Sequence, residues 1–216
     1  MTNAALPGQR PRKERKENAD RRRKQLIEAT LRSVVANGLA KTTLATVAAE
    51  AGLSQGVAVF YFNTKDDLLA AALAHQYALY EEAWSEELDQ AGSDPAERLA
   101  ALIRADFAPE VCNPEVLAIW FAFWGEARFR PRYGETSREF DDRRGQEIER
   151  ICRDLMPGAA LQEVQETAIC IDAMTDGLWQ RSYLSSESFG RDEAAATTFR
   201  LLRQLFPAHA ARFGDD

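Results

Sequence analysis

Apolar positions along the chain recur three and four residues apart, which is the spacing of amphipathic helices. No segment shows the apolar–polar alternation with a period of two that a half-buried strand would have. Glycine and proline divide the pattern into about nine segments, so the fold class is predicted to be all-α. The predicted helices span 18–37, 44–51, 55–62, 66–91, 96–107, 115–128, 131–155, 161–186 and 192–206.

The second and third predicted helices are short and are joined by a tight turn. Thr43 is a candidate N-cap for the first of the two, because a threonine hydroxyl can accept from the first free backbone N–H groups. Gly52 can adopt the left-handed conformation that ends a helix, and Ser54 can cap the next one. Two helices joined by a glycine-containing turn of about three residues form a helix-turn-helix unit, which commonly binds DNA.

The stretch from Arg23 to Leu69 resembles the N-terminal DNA-binding domain of the TetR family of bacterial repressors. The resemblance rests on an apolar face of the preceding helix and on three short motifs. The matching positions are Leu26, Ile27, Ala29, Leu31, Val34, Gly38, Thr43, Val47, Ala48, Ala51, Gly52, Phe60, Tyr61, Phe62, Lys65 and Leu68. It implies a homodimeric repressor that binds double-stranded operator DNA.

Side chains at the N-terminal end of a recognition helix contact base edges in the major groove. Gln55 can pair with adenine through two hydrogen bonds, and Val57 and Phe60 can contact a thymine methyl group. Phe62 is predicted to pack in the core. The predicted DNA-binding residues are Thr43, Ser54, Gln55, Gly56, Val57, Phe60, Tyr61 and Lys65.

The phosphate contacts in this prediction come from the family resemblance. Thr43, Tyr61 and Lys65 match phosphate-contacting positions of the family, and each carries a group that can donate to a phosphate. The position before Phe60 is Tyr in many members and Val59 here. One phosphate contact of the family is therefore lost or moved.

Residues 52–56 also fit G-x-S-x-G, the nucleophile elbow of serine hydrolases. That motif requires a preceding strand and, further along the chain, an acid and a histidine. The preceding segment is alanine-rich and helical, and only His75 and His209 follow. The protein is therefore predicted not to be an enzyme, and a serine hydrolase is kept only as a distant alternative.

Charge is unevenly distributed along the chain, whose net charge is −7. Residues 1–69 carry a net charge of +5 and residues 70–216 a net charge of −12. This asymmetry favours a nucleic-acid-binding N-terminal part. The predicted domains are a disordered basic arm (1–17), a DNA-binding domain (18–69) and a ligand-sensing and dimerisation domain (70–216). Whether the arm contacts DNA stays open.

The remaining composition excludes several classes of protein. The three cysteines lie far apart and have no ligand spacing, and two isolated histidines make a metal site improbable. No cofactor is predicted. With no signal peptide and no apolar run of about 18 residues, the chain is expected to be a cytoplasmic protein without a membrane span.

The last predicted helix carries two apolar stripes, which implies burial on two sides. Together with the helix over 161–186 it is predicted to form a four-helix dimer bundle, as in TetR-family proteins. The alternative is a core within one chain. The predicted interface residues are Phe199, Leu202 and Phe206.

Two helices of the C-terminal part carry aromatic and acidic side chains at helical spacing. One has Trp120, Phe123 and Trp124 on one face, and the other has Asp172, Asp176, Trp179 and Tyr183 in a stripe. Aromatic faces with nearby carboxylates bind quaternary ammonium groups. For any single residue of this set, core packing or a structural hydrogen bond is the alternative.

The C-terminal part also resembles the BetI-type repressors, a choline-responsive subgroup of the TetR family. The matching segments are 117–124 and 171–181, with Ser137-Arg138 and Arg143-Arg144 between them. The resemblance implies choline as the effector and genes of glycine betaine synthesis as the target. Another lipophilic or cationic effector remains the alternative.

Overall fold

The structure is a computed structural model that describes residues 12–214, within which nine α-helices and one 3-10 helix occur and no strand. The all-α prediction is therefore confirmed. The helices are α1 Arg12–Lys41, α2 Leu44–Glu50, α3 Gln55–Tyr61, α4 Lys65–Gln90, α5 Pro95–Asp106, α6 Pro114–Ala127, α7 Pro131–Leu155, α8 Leu161–Leu184, α9 Arg191–Leu205 and the 3-10 helix Pro207–Phe213.

The chain divides into two compact units, and the division falls between Ala72 and Leu73. The first unit contains α1 to α3 and the start of α4. The second unit contains the rest of α4 and all later helices. No helix in the described part of the chain is long and apolar enough to cross a membrane.

Helix α1 begins earlier than predicted. Residues 12–17 belong to the helix and not to the predicted arm, of which residues 1–11 lie outside the described part of the chain. The segment is rich in Arg, Lys and Glu, which are good helix formers even without an apolar face. Gly38, the predicted stop, has φ 74° and ψ 166° and interrupts the helix there.

The core of the first unit lies where α1, α2, α3 and the start of α4 meet. Its buried side chains come from all four helices, so each helix fixes the position of the others. They are Leu26, Ala29, Val47, Ala48, Ala51, Ala58, Phe62 and Leu68.

The second unit is built around α5, whose residues 99–103 are all buried. Asp94 caps this helix by accepting from the N–H groups of Ala96 and Glu97, and Pro95 occupies its first turn. Asn113 and Pro114 start α6 in the same way. Helix α5 packs against α7 and α9, and α7 and α8 form a long adjacent pair.

The chain after α9 has more structure than its sequence pattern predicted. It forms the 3-10 helix, whose Phe213 is buried against Phe206 at 6.2 Å between ring centroids. This contact covers the end of α9 from within the same chain.

Candidate functional site

The turn between α2 and α3 is held by two backbone hydrogen bonds. Leu53 N donates to Ala48 O at 2.8 Å, and Gly52 N donates to Ala49 O at 3.0 Å. This is a Schellman motif, which requires a positive φ at its central position, and Gly52 has φ 65°. The turn therefore fixes the direction in which α3 leaves α2.

Thr43 is the N-cap of α2, as predicted. Its hydroxyl accepts from Thr46 N at 3.1 Å, while Thr43 N donates to the Thr46 hydroxyl at 2.8 Å. Ser54 occupies the N-cap position of α3, but its hydroxyl makes no capping hydrogen bond. The expected capping by the Ser54 side chain is therefore wrong, and its exposed hydroxyl stands beside the exposed Gln55 at the start of α3.

Helix α3 has one face in the core and one in solvent. Ala58 and Phe62 point inward, and Phe62 is only 2% exposed. Phe60 is 80% exposed, so most of its ring faces solvent. The predicted core packing of Phe62 is thus confirmed, and the base contact of Phe60 stays a prediction.

Two residues that are predicted to contact phosphate, Tyr61 and Lys65, also contact other groups of the first unit. The Tyr61 ring packs edge-on against Phe60 at 5.1 Å. The Lys65 ammonium donates to the carbonyl oxygens of Leu39 at 2.7 Å and Ala40 at 3.0 Å. Lys65 therefore also stabilises the segment that precedes Thr43, and its contact with phosphate stays a prediction.

In the second unit, three tryptophans from α6 and α8 come together, and we call Trp120, Trp124 and Trp179 the tryptophan cluster. The ring centroids are 5.7 Å apart for Trp120 and Trp124, 6.4 Å for Trp120 and Trp179, and 6.5 Å for Trp124 and Trp179. The three ring planes lie within 26° of parallel. All three residues were predicted from helical spacing to bind a ligand, and that role stays a prediction.

Two tyrosines of α4 pack against the tryptophan cluster, and neither was predicted from the sequence as a ligand-binding residue. Tyr77 packs against Trp120 at 4.7 Å, and Tyr80 packs against Trp179 at 5.4 Å and Trp120 at 6.0 Å. Their spacing of three residues places both tyrosines on one face of α4, which could have marked them in the sequence as a pair. The sequence pattern gave no indication that α4 packs against α6 and α8.

Two predicted ligand residues lie outside the cluster. Phe123 is buried against Tyr133 at 5.3 Å, and no ring contact joins it to the tryptophan cluster among the described residues. On a helix Phe123 and Trp124 point about 100° apart, so α6 places them on different sides. Tyr183 lies one helical turn beyond Trp179, where it contacts Phe121 at 5.2 Å.

Tyr183 instead lines a separate cavity of about 290 Å³ formed by α6, α8 and the start of α9. Cys112, Leu117 and Ser182 are other lining residues. Burial raises the pKa of the Cys112 thiol to about 11, so it is uncharged at neutral pH.

A buried ionic network adjoins the tryptophan cluster. The Tyr80 hydroxyl donates to Asp106 Oδ1 at 2.6 Å, and Arg144 Nη2 donates to Asp106 Oδ2 at 2.7 Å. Arg144 Nε donates to Asp172 Oδ1 at 3.1 Å. The Trp179 indole N–H donates to the Asp106 backbone carbonyl at 2.9 Å, which ties the network to the cluster.

Negative charge is in excess around this network. Burial raises the pKa of Asp106 and of Asp141 to about 6, and in Asp106 the Arg144 guanidinium opposes the effect. Burial and the neighbouring charge of Asp172 raise the pKa of Asp176 to about 7. Among the described residues, four aspartates therefore lie around the buried Arg144; Asp106 is buried as well, whereas Asp141 and Asp176 are exposed.

This arrangement suits an organic cation. Aromatic faces attract ammonium groups, and the carboxylates add charge complementarity. Among the residues described, no group of three or more His, Cys, Asp or Glu side chains is placed to hold a metal ion.

Two of the three predicted dimer residues, Leu202 and Phe206, need correction, and the role of Phe199 stays a prediction. Leu202 and Phe206 are buried within their own chain, and Phe199 is half-buried. The physical reason is that α9 uses this stripe to pack on its own unit. The large hydrophobic side chains that α8 and α9 leave exposed are Leu161, Ile169, Tyr183, Leu184, Leu201 and Leu205.

Comparison with known proteins gives a consistent result for both units. Residues 26–72 match the model of the bacterial regulatory proteins of the tetR family, and residues 95–207 match the model of the C-terminal domain of BetI-type transcriptional repressors. The two models together cover parts of both units.

Curated relatives carry the same description. The chain is 35% identical over 181 residues to the HTH-type transcriptional regulator BetI of Paraburkholderia xenovorans (strain LB400), covering 82% of this chain and 89% of the relative. It is 32% identical over 173 residues to the HTH-type transcriptional regulator BetI of Stenotrophomonas maltophilia (strain R551-3), covering 80% and 87%.

Solved structures share the fold. A transcriptional regulator from Pseudomonas aeruginosa PAO1 superposes with a TM-score of 0.78 at 25% identity, over 90% of this chain and 95% of that one. A transcriptional regulator from Saccharomonospora viridis, solved in complex with choline, has a TM-score of 0.75 at 21% identity, over 85% and 96%.

Proposed function

The chain belongs to the TetR family of bacterial transcriptional regulators and has the C-terminal domain of BetI-type repressors, and on this premise we propose that choline is its effector. In this proposal a homodimer binds operator DNA in the cytoplasm and represses genes of glycine betaine synthesis. Choline binds the second unit and releases the DNA. Another small lipophilic cation is the alternative effector.

Family membership sets the hydrolase alternative aside, because the family consists of regulators and not of enzymes. The position of the G-x-S-x-G segment agrees with this. Gly52 and Ser54 lie between two helices, in the turn of the helix-turn-helix unit, whereas a nucleophile elbow follows a strand.

The observation that carries the effector proposal is the tryptophan cluster with its acidic surroundings. Three indole rings and the Tyr80 ring lie together in this part of the second unit, and aromatic faces of this kind bind quaternary ammonium groups. Asp172 and Asp176 supply the compensating negative charge. The choline complex of the Saccharomonospora viridis regulator adds that a protein of this fold can bind choline.

Release of DNA follows if choline binds the two conformations of the dimer unequally. A conformation in which the two recognition helices no longer match successive major grooves would bind choline more tightly. A coupling of about 1–3 kcal/mol between the two sites lowers operator affinity about 5- to 150-fold. By the reciprocity of linkage, operator DNA must lower choline affinity by the same factor.

The proposal is tested by operator binding with and without choline. Duplexes selected by the full-length protein from a random library supply the operator, and fluorescence anisotropy then gives the affinity. Choline at saturating concentration should weaken this affinity, whereas equimolar tetramethylurea, a neutral solute, should not. Unchanged affinity at millimolar choline would leave the repressor in place and remove choline as its effector.

Sequence preference should depend on the start of α3. Gln55→Ala should reduce the preference for the selected operator over a scrambled duplex by about tenfold, because an amide bidentate to adenine contributes about 1–3 kcal/mol. Phe60→Ala should act similarly at thymine positions, since the exposed ring has no core role. Affinities for both duplexes in the wild type and the variants check this.

Binding of the wild type to either duplex should weaken steeply with salt, because phosphate contacts release counterions. Val35→Ala is the matched control for Phe60→Ala, since Val35 is an exposed apolar residue of α1 outside the helix-turn-helix. Equal affinity of the wild type for operator and scrambled DNA would contradict the assignment of α3.

Choline affinity should depend on pH because the pKa of Asp176 is raised to about 7. The carboxyl group is mostly neutral below this pH and mostly ionised above it, so choline should bind more tightly as pH rises. If binding requires the ionised form, affinity rises about tenfold between about pH 6 and 8. Calorimetry at several pH values measures this, and Asp176→Asn should flatten the profile. A flat profile in the wild type would contradict a role for this carboxylate.

A further inference from the structure

The cavity that Tyr183 lines is separate from the tryptophan cluster, since none of the three tryptophans is among the described residues that line it. Its walls are largely apolar and include Pro114, Leu117 and the uncharged thiol of Cys112. Its volume is about 290 Å³, and a dry apolar cavity of about 150 Å³ already binds benzene. The space therefore accommodates a substituted aromatic ring or a branched alkyl chain of similar size.

One buried hydroxyl group in the wall of this cavity has no hydrogen-bond partner in the described part of the chain. Ser182 is only 7% exposed, and within residues 12–214 its Oγ atom neither donates nor accepts a hydrogen bond. Buried polar side chains are almost always paired, because an unpaired hydroxyl loses its bonds to water without compensation. Since Ser182 lines the cavity, a ligand with an oxygen atom supplies the partner that the protein does not.

Positive charge lies at the end of the cavity where α9 begins. Gly190 is the N-cap of α9 and offers no side chain to the first backbone N–H groups of the helix. Arg191 also lines the cavity, and its Nε atom donates to Asp192 at 3.1 Å, which uses one of the five N–H groups of the guanidinium. Burial raises the pKa of Cys112 and the charge of Arg191 opposes this rise, so that charge is felt at the cavity wall.

The carboxylates near this end of the cavity do not cancel its positive charge. The side chains of Asp192 and Glu193 are 92% and 54% exposed, whereas that of Arg191 is 35% exposed. Solvent and salt screen exposed charges more strongly than partly buried ones. Inside the cavity, Arg191 and the N-terminus of α9 therefore outweigh the two carboxylates, and the helix N-terminus itself favours an anion.

We propose that this cavity binds a small carboxylate with an apolar body, such as an aromatic monocarboxylate. The apolar body lies between α6 and α8. The carboxylate lies at the start of α9, where it accepts hydrogen bonds from the Arg191 guanidinium and the Ser182 hydroxyl. The site is independent of the proposed effector site, whose aspartates attract a cation and repel an anion.

Calorimetry on the full-length protein tests the ligand class with three probes. Benzoate carries a ring and a charge, benzamide keeps the shape without the charge, and acetate keeps the charge without the ring. Benzoate should bind about tenfold more tightly than benzamide, because charge-assisted hydrogen bonds are about twice as strong as neutral ones. Acetate should bind too weakly to detect, because it leaves the apolar space unfilled. Equal affinity for benzoate and benzamide would overturn the anion class, and absence of benzoate binding at millimolar concentration would overturn the site.

Arg191→Gln locates the charge that the ligand meets. The variant keeps a polar side chain and loses the cation, so the affinity ratio of benzoate to benzamide should fall to about one. Arg200→Gln is the matched control, since Arg200 is an exposed arginine of the same helix that does not line the cavity. The control should keep the wild-type ratio. A wild-type ratio in Arg191→Gln would overturn the assignment.

Ser182→Ala separates a ligand-binding hydroxyl from a structural one. Removing a buried hydroxyl that has no protein partner should leave the thermal unfolding temperature of the unliganded protein unchanged or higher, while benzoate affinity falls several-fold. Ser185→Ala, at an exposed serine outside the cavity, should change neither quantity. A lower unfolding temperature of Ser182→Ala with unchanged benzoate affinity would overturn the role of this hydroxyl.

Trp124→Leu distinguishes this cavity from the proposed effector site. Trp124 does not line the cavity, so benzoate affinity should stay at the wild-type value while choline affinity falls. Absence of choline binding by the wild type would remove the proposed effector and leave the carboxylate site in place. Loss of benzoate binding in Trp124→Leu, with wild-type affinity in Arg191→Gln, would place benzoate in the tryptophan cluster and overturn this inference.

Discussion

Replacing Leu201 and Leu205 with glutamate is expected to split the proposed dimer and to weaken operator binding about a hundredfold or more. Both side chains are exposed on α9, and α8 leaves Ile169 and Leu184 exposed as well. Large apolar side chains that two packed helices leave exposed are typical of an interface. Since two linked recognition helices gain about 10²- to 10⁴-fold over one, the monomer should lose that factor.

Leu79→Glu is the matched control for this experiment. Leu79 is 45% exposed and Leu205 is 44% exposed, but Leu79 lies on α4, outside the α8–α9 face. The control should remain dimeric in sedimentation and bind the operator like the wild type, while circular dichroism shows both variants to be helical. A well-folded wild-type monomer at micromolar concentration would rule out the proposed interface.

The dimer helix also shows where a sequence pattern stops being informative. The two apolar stripes of α9 were visible in the sequence, but the pattern did not show which of them packs on its own chain. Leu202 is fully buried within the unit, so Leu202→Glu would place a charge in the core and unfold the protein without testing the interface. Leu201, its neighbour in the sequence, faces outward.

Where a capping residue marks the start of a helix, as in α5 and α6, the start was predicted to within one residue. Asp94 and Asn113 cap α5 and α6 through hydrogen bonds to backbone groups two and three residues away, so the information lies in a few adjacent residues. The start of α1 has no such signal. Its charged residues form a helix through intrinsic propensity, which a composition-based expectation of disorder did not weigh.

The proposed effector site was predictable from the sequence only for residues that share a helix. Trp120 and Trp124 follow from spacing on α6, and Trp179 from spacing on α8. Tyr80, Asp106 and Arg144 come from three other helices and meet only through tertiary packing. A buried Arg–Asp pair leaves no periodic trace in a sequence, because each partner looks like an ordinary charged residue of its own helix.

Choline should bind the second unit about a hundredfold more tightly than 3,3-dimethylbutanol, which keeps the shape of choline and lacks its charge. Each cation–π contact contributes roughly 0.5–2 kcal/mol when desolvated, and the cluster offers several aromatic faces beside carboxylates. Two such contacts with one nearby carboxylate already reach the roughly 2.7 kcal/mol that a hundredfold ratio requires. Calorimetry gives both affinities, and equal values would mean that shape alone is recognised.

Trp124→Leu should remove most of this advantage, because leucine keeps apolar area and loses the π-face. The half-buried Trp124 is preferable to Trp179, whose N–H also holds the Asp106 carbonyl and whose loss would disturb the ionic network.

Trp84→Leu is the matched control, since Trp84 has no ring contact with the tryptophan cluster among the residues described. It should leave the ratio of charged to neutral ligand unchanged while removing the one tryptophan outside the cluster. In that background the fluorescence of the other three tryptophans reports choline binding directly. A Trp124→Leu protein that keeps the wild-type ratio would show that carboxylates, and not aromatic faces, recognise the charge.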